Sequence, residues 1–450
     1  MKKTVIISAI IALFLPACEI LEVDPSHSMP ADQAITDATG VQRGILGCYD
    51  AMQGVGHYGR NYIVVGDLTT DILTWSGTTA GYNQINNNTI LADNVIVEGI
   101  WASIYNGLNR INNVIVQIPG VENMTTEGKN KALAELYFLR ALHHYDLVRL
   151  FGDIPMRTAP VFADEASLNV PRDPVSEVMQ LVHDDLDFAI LHLAPEITRG
   201  KASKAAAQAL KARVSLHSYF MTSQTSYLND AKTHASAVID HPGLELETNY
   251  QVLFSGESNS EAIFEVEFNE QDRNRYAEYF FHTSMSGRYE FSPTPSFIDS
   301  FAPDDIRKDV IIGTALGNPF ANKYNDIVSG TDNAPVLRLA EMYLIRAEAE
   351  TELQGNPASI RRDIDAIRVR AGLLPTTISD NNYQAFRLEI ESQRMKEFAF
   401  EGHRWFDLIR TGRALAVLEN LNSENQTLFP IPLTEILAND NPGMTQNPGY

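Results

Sequence analysis

Cysteine is nearly absent: 450 residues contain two, Cys18 and Cys48. A disulfide-stapled small-domain architecture is therefore excluded. The eleven histidines never recur three or four apart, which excludes a zinc helix of the HExxH kind. His143 and His144 are adjacent and project about 100° apart on a helix, so they do not share a metal. Neither a GxSxG elbow nor a phosphate-binding P-loop occurs. No metal and no cofactor is expected. Also missing are an apolar run of the ~20 residues needed to cross a bilayer and a basic stripe. The formal charge is −22. This excludes nucleic acid, whose phosphates demand clustered Lys and Arg, and charge-driven docking on anionic lipid.

The N-terminus is more specific. Lys2 and Lys3 precede an apolar run from Val5 to Leu15, the anatomy of a secretory signal peptide. Leu15-Pro16-Ala17-Cys18 looks like a bacterial lipobox, where cleavage precedes the cysteine and lipid joins its sulfur. Residues 1–17 are expected to be removed, Cys18 to carry lipid, and 18–36 to form anchor and tether. Several acyl chains, at about 0.8 kcal/mol per buried methylene, make a lasting anchor. Loss of Lys2 and Lys3 leaves the mature chain two charges more negative. Cys48 then stands alone, in an amphipathic stretch, GILGCYDAM, that predicts a buried small apolar side chain.

Periodicity predicts a mainly α protein. A helix is expected from about Asp37 to Met52. Helical period then vanishes over 53–90, where Gly, Thr and Asn dominate around Trp75 and Tyr82. Four helix pairs follow: VEGIWASIYNGLNRINNVIVQI with KALAELYFLRALHHYDLVRLFG, SKAAAQALKARVSLHSYF with YLNDAKTHASAVIDH, VLRLAEMYLIRAEAETELQG with PASIRRDIDAIRVRAGL, and a last pair within QAFRLEIESQRMKEFAFEGHRWFDLIRTG. Unevenly spaced pairs predict degenerate tetratricopeptide-like repeats in a right-handed superhelix. These occupy about 96–243 and 333–420, interrupted by loop and small β insertions, the largest over 244–332. There EAIFEVEF alternates as a half-buried strand, with Glu265 and Glu267 on its open face. Trp101 and Trp405 lie on amphipathic helices and are expected in the core.

RMKEFAFEGHRWFDLIRTGRA resembles the C-terminal signature of the SusD/RagB family of bacterial surface lipoproteins that capture nutrients, usually glycans. CEILEVDP, WASIYNGLNRINNVI, LRALHHYDLVRLFGDIP and LRLAEMYLIRAEAE followed by IRVRAGL resemble its other blocks in order, so the resemblance covers nearly the whole chain, and 37–450 is expected to be a single domain of that family. It implies a non-enzymatic lipoprotein on the outer face of the outer membrane. That protein would hand an oligosaccharide to a SusC-like TonB-dependent transporter. It also implies a ligand surface built from the N-terminal lobe, about 53–95, and the insertion. Trp75 and Tyr82 would present rings. Asn83, Asp67 and Asp71 would meet hydroxyls, with a helix or turn cap the equal alternative for Asp67. Arg273, Tyr276, Tyr279 and Tyr289 would join from the insertion. A sugar needs flat rings for its C–H faces and polar groups for its rim. The alternatives are a peptide or glycoprotein-derived cargo, and a glycoside hydrolase using Glu265 and Glu267. Glu401, His403 and Asp407 read better as ion pairs beside a core tryptophan than as a catalytic group.

Overall fold

The computed structural model describes residues 35–161, 164–254 and 259–450. The expected leader and Cys18, where lipid is expected, lie outside them. Helix α1, Ala38–Ala51, starts where Asp37 accepts the Gly40 N–H at 2.7 Å. It buries Val41, Ile45 and Cys48. Burial pushes the Cys48 thiol up to about 12, so it is an inert apolar group.

Residues 53–90 are not devoid of helix, as their lack of period implied. Helix α2, Asn61–Leu68, has every residue buried. A helix enclosed on all sides shows no apolar stripe. Strand β1, Leu73–Trp75, and helix α3, Ala80–Asn86, follow. Gly54, Gly56 and Gly59 carry the GxGxxG spacing but join α1 to α2, not a strand to a helix, so no dinucleotide cradle forms. A Cβ on Gly56 would meet the Gly99 carbonyl oxygen at 2.1 Å, so this glycine serves close packing against helix α4, Val95–Gln117.

Helix α5, Thr126–Phe151, packs on α4, as expected, but packs more extensively on α6, Val175–His192, which lies outside the four proposed pairs. Its apolar face, Val178, Val182, Leu186 and Ala189, completes that repeat. Helices α7, Lys204–Thr222, and α8, Thr225–Ile239, pair through buried Ala205, Ala206, Ala209 and Ala212. Helices α9, Leu339–Glu352, and α10, Pro357–Arg370, form the next pair. The last expected pair does not form as one: α11, Tyr383–Glu397, packs chiefly on α9, and the short α12, Arg404–Arg410, chiefly on α2. Helix α13, Leu433–Ala438, closes the chain against the start of α4 through Leu433 N–H to the Ala92 carbonyl.

The insertion is tied down by strands. β2, Ala262–Val266, runs antiparallel to β6, Ala334–Arg338. β3, Phe291–Pro293, pairs with β1. β4, Ile312–Ala315, and β5, Asn318–Ala321, make a hairpin. Strand β2 is not half-buried: Ile263, Phe264, Glu265 and Val266 are all enclosed. Glu265 is tolerated there because Arg199 and the Asn333 amide bind its carboxylate.

The C-terminal block is held by buried ions. Arg394 and Glu397, and Arg404 and Asp407, stand one turn apart but do not pair. Arg338 instead bridges Glu261, Glu397 and Glu401 at 2.9, 2.6 and 2.9 Å. Arg307 and Arg370 also reach Glu397, and Lys323 reaches Glu401 at 2.7 Å. Arg394 joins Asp407 at 2.7 Å, and Arg404 clamps Asp71 with two bonds of 2.8 Å. Tertiary partners win because each guanidinium then satisfies several carboxylate oxygens out of water.

Candidate functional site

One short ladder brings the N-terminal lobe to the insertion. Leu73 lies opposite Pro293, Thr74 opposite Ser292 and Trp75 opposite Phe291. Past it, the Ser76 N–H donates to the Glu290 carbonyl and the Ser76 hydroxyl to the Tyr289 carbonyl, each at 2.9 Å. The Glu290 carboxylate accepts the Thr78 and Thr79 N–H groups at 3.1 and 3.3 Å, fixing the loop before α3. Trp75 is half-buried, and its backbone N–H is held by the Asn86 side chain at 2.9 Å. Its indole N–H is buried without a partner, so what Trp75 leaves open to solvent is not its polar edge.

The other proposed residues divide. Tyr289 is half-buried beside this ladder, its hydroxyl donating to the Pro319 carbonyl at 3.0 Å. Tyr279 is 8% exposed and stacks on Phe291. The Arg60 and Arg288 guanidiniums lie 3.7 and 4.5 Å from its ring centroid. Asn83 is half-buried on α3, with its oxygen taken by Asn87 at 2.8 Å. Arg273 is exposed and lines a neighbouring cleft of about 550 Å³ with Arg275, Gln53 and Asn106. Arg275 links this cleft to the ladder through Glu278, at 2.8 Å.

Four proposed contacts are corrected. Tyr82 is enclosed, its hydroxyl donating to Asn61 at 2.7 Å and its ring edge-on to Phe291. Tyr276 is enclosed, its hydroxyl held by the Tyr58 carbonyl. Asp67 is buried and accepts the Gly402 and Arg404 N–H groups at 2.9 and 3.3 Å, supporting the start of α12. Burial raises its pKa to about 7 against those hydrogen bonds. Asp71 has both oxygens engaged by Arg404. In each case the packing that makes the fold uses the polar atom a ligand would need.

The acids weighed for chemistry are likewise occupied. Glu401 serves Lys323 and Arg338. Burial, then Arg213 and Arg394, hold His403 far below its ordinary pKa. Asp407 stays ionised despite burial because Arg394 and Arg410 flank it. Among the described residues no group of three or more His, Cys, Asp or Glu side chains is placed to hold a metal ion. No described helix is long and apolar enough to cross a membrane.

Two family models match the chain. Residues 19–216 fit the one described as starch-binding associating with outer membrane, and residues 318–422 the one described as SusD family. The protein is SusD-like. It is 26% identical to SusD-like protein P25 of Formosa agariphila, over 94% of each chain. A SusD superfamily structure from Parabacteroides distasonis covers 91% of this chain and 99% of its own at TM-score 0.81 and 26% identity. A laminarin binding SusD-like protein covers 92% and 100% at TM-score 0.79 and 25% identity. These structures carry the tetratricopeptide-like repeats expected from the helix pairs. The residues that sequence reasoning missed at this SusD-like surface are Arg60, Ser76, Arg288 and Glu290. None has a periodic signal. Only the ladder between distant segments assembles them.

Proposed function

We propose that this chain is a cell-surface lipoprotein that binds a glycan at the Trp75 surface and delivers it to a TonB-dependent outer-membrane transporter. The ladder that seats Trp75 beside Tyr289 and the Arg60–Tyr279–Arg288 cluster carries this reading. It supplies a ring partly open to solvent with hydrogen-bonding groups around it, the combination a sugar ring requires. The starch-binding description of the matching family and the laminarin-binding relative support the ligand class. Binding without turnover accords with the carboxylates already committed to ion pairs, Glu265 and Glu401 among them. Calorimetric titration against a panel of oligosaccharides tests it. Trp75→Ala is expected to weaken the bound glycan at least about tenfold, roughly 1.4 kcal/mol, with melting temperature little changed. Tight binding of peptides and of no glycan would move the cargo to the alternative class.

A further inference from the structure

Two arginines, Arg60 and Arg288, stand at the Trp75 surface of a chain whose formal charge is −22. Arg60 is only 8% exposed, yet no carboxylate of the described residues lies within ion-pair distance of it. Its Nε donates to the Asn61 side chain at 3.0 Å, and its guanidinium lies over Tyr279. Arg288 stands over the same ring. It pairs loosely with Glu278 and Glu290, at 3.8 and 3.7 Å, but is hydrogen-bonded to neither, so it keeps donors free. Glu278 is already bonded to Arg275, and Glu290 to the Thr78 and Thr79 N–H groups. Arg273, in the adjoining cleft, donates among the described residues to the Glu270 and Val328 carbonyls. Elsewhere the buried arginines are matched: Arg338, Arg213, Arg394 and Arg410 each touch a carboxylate. A nearly buried guanidinium with no counter-ion is costly unless something supplies the missing charge.

We infer that the Trp75 surface takes an anionic glycan, whose uronate carboxylate or sulfate ester is bound by Arg60 and Arg288 while the sugar ring lies against Trp75. The inference rests on the binding function proposed above and narrows its ligand class. A planar guanidinium matches either oxyanion with two hydrogen bonds. Tyr279 orders both arginines in advance, so little side-chain entropy is lost on binding.

The test uses matched pairs on the mature chain: oligogalacturonate against its methyl ester, and a sulfated galactan oligosaccharide against its desulfated form. One charged member is expected to bind at least about tenfold tighter than its neutral twin, and which pair responds tells carboxylate from sulfate. The preference should weaken as sodium chloride rises, through screening. Arg288→Gln, at an exposed position, should abolish the preference with melting temperature unchanged. Arg60→Met should abolish it while leaving melting temperature unchanged or higher, because it removes an unpaired buried charge. A lower melting temperature with the preference kept would make Arg60 structural and overturn the inference. Equal or tighter binding of neutral chains, lost on Trp75→Ala, would overturn it and leave the proposed function standing. Binding of no glycan by the wild type would overturn both.

Discussion

Asp67 shows what a single buried carboxylate does to this fold. It sits on α2 and receives two backbone N–H groups from the turn before α12, yet burial dominates and lifts its pKa from 3.8 to about 7. A raised pKa means the folded state binds this proton more tightly than the unfolded chain. The stabilisation is complete below about pH 3.8 and is lost as pH rises through about 7. Asp67→Asn keeps an acceptor oxygen and carries no charge to desolvate. It should therefore gain on the wild type by roughly 2–3 kcal/mol between pH 5 and pH 8. Denaturant melts of both proteins at the two pH values measure it, and a difference independent of pH would show that Asp67 keeps an ordinary pKa. Residue type alone left Asp67 open between a sugar partner and a helix or turn cap. Only the approach of residues 402–404, far along the chain, turns it into a support for a helix start.

At the scale of elements, α2 lies backbone to backbone against the turn before α12. A Cβ on Gly66 would lie 2.4 Å from the Gly402 carbonyl oxygen, and Gly402 itself has φ +77 with Ile63 backbone 2.9 Å from any added Cβ. Gly66→Ala must separate the two segments and disturb both Asp67 hydrogen bonds. We expect a loss of roughly 3 kcal/mol, read as an earlier denaturation midpoint with unchanged slope. Gly402, inside FEGHRWF, supplies the small residue that this close packing needs. Helix α2 was not legible in the sequence, because NYIVVGDL is buried on every side and shows no stripe. Helix α6 had a readable stripe, Val178, Val182, Leu186 and Ala189, yet it falls between two proposed pairs and carries none of their motif blocks. The strand EAIFEVEF was legible as a strand but not as buried, since Arg199 and Asn333, which neutralise Glu265, come from other segments. The same limit applies to the candidate site. Trp75 was readable as a ring in an irregular polar segment. Tyr82 and Tyr276 looked alike in sequence and proved to be core.

The whole molecule gives the site a direction. Ile35, the first described residue, lies against Gly44 and Val114, near the C-terminal end of α4. The segment bearing Trp75 contacts the other end, where Gly81 of α3 faces Asn94 and Ile96. Eighteen residues of helix at about 1.5 Å each separate Ile96 from Val114, about 27 Å. Ile35 and the candidate surface therefore lie toward opposite ends of α4. A lipid on Cys18, as proposed, would hold the protein in the membrane beside a transporter and raise the local concentration of its binding face. Replacing Cys18 by Ser separates the two roles. Purified protein should bind its glycan unchanged, because Cys18 precedes the described fold, whereas in cells the protein should leave the outer-membrane fraction and growth on that glycan should fall. Radiolabelled palmitate should mark the wild type alone. Persistent membrane association of the Cys18→Ser protein, or unimpaired uptake, would place the anchor elsewhere and remove the tether from the account of transport.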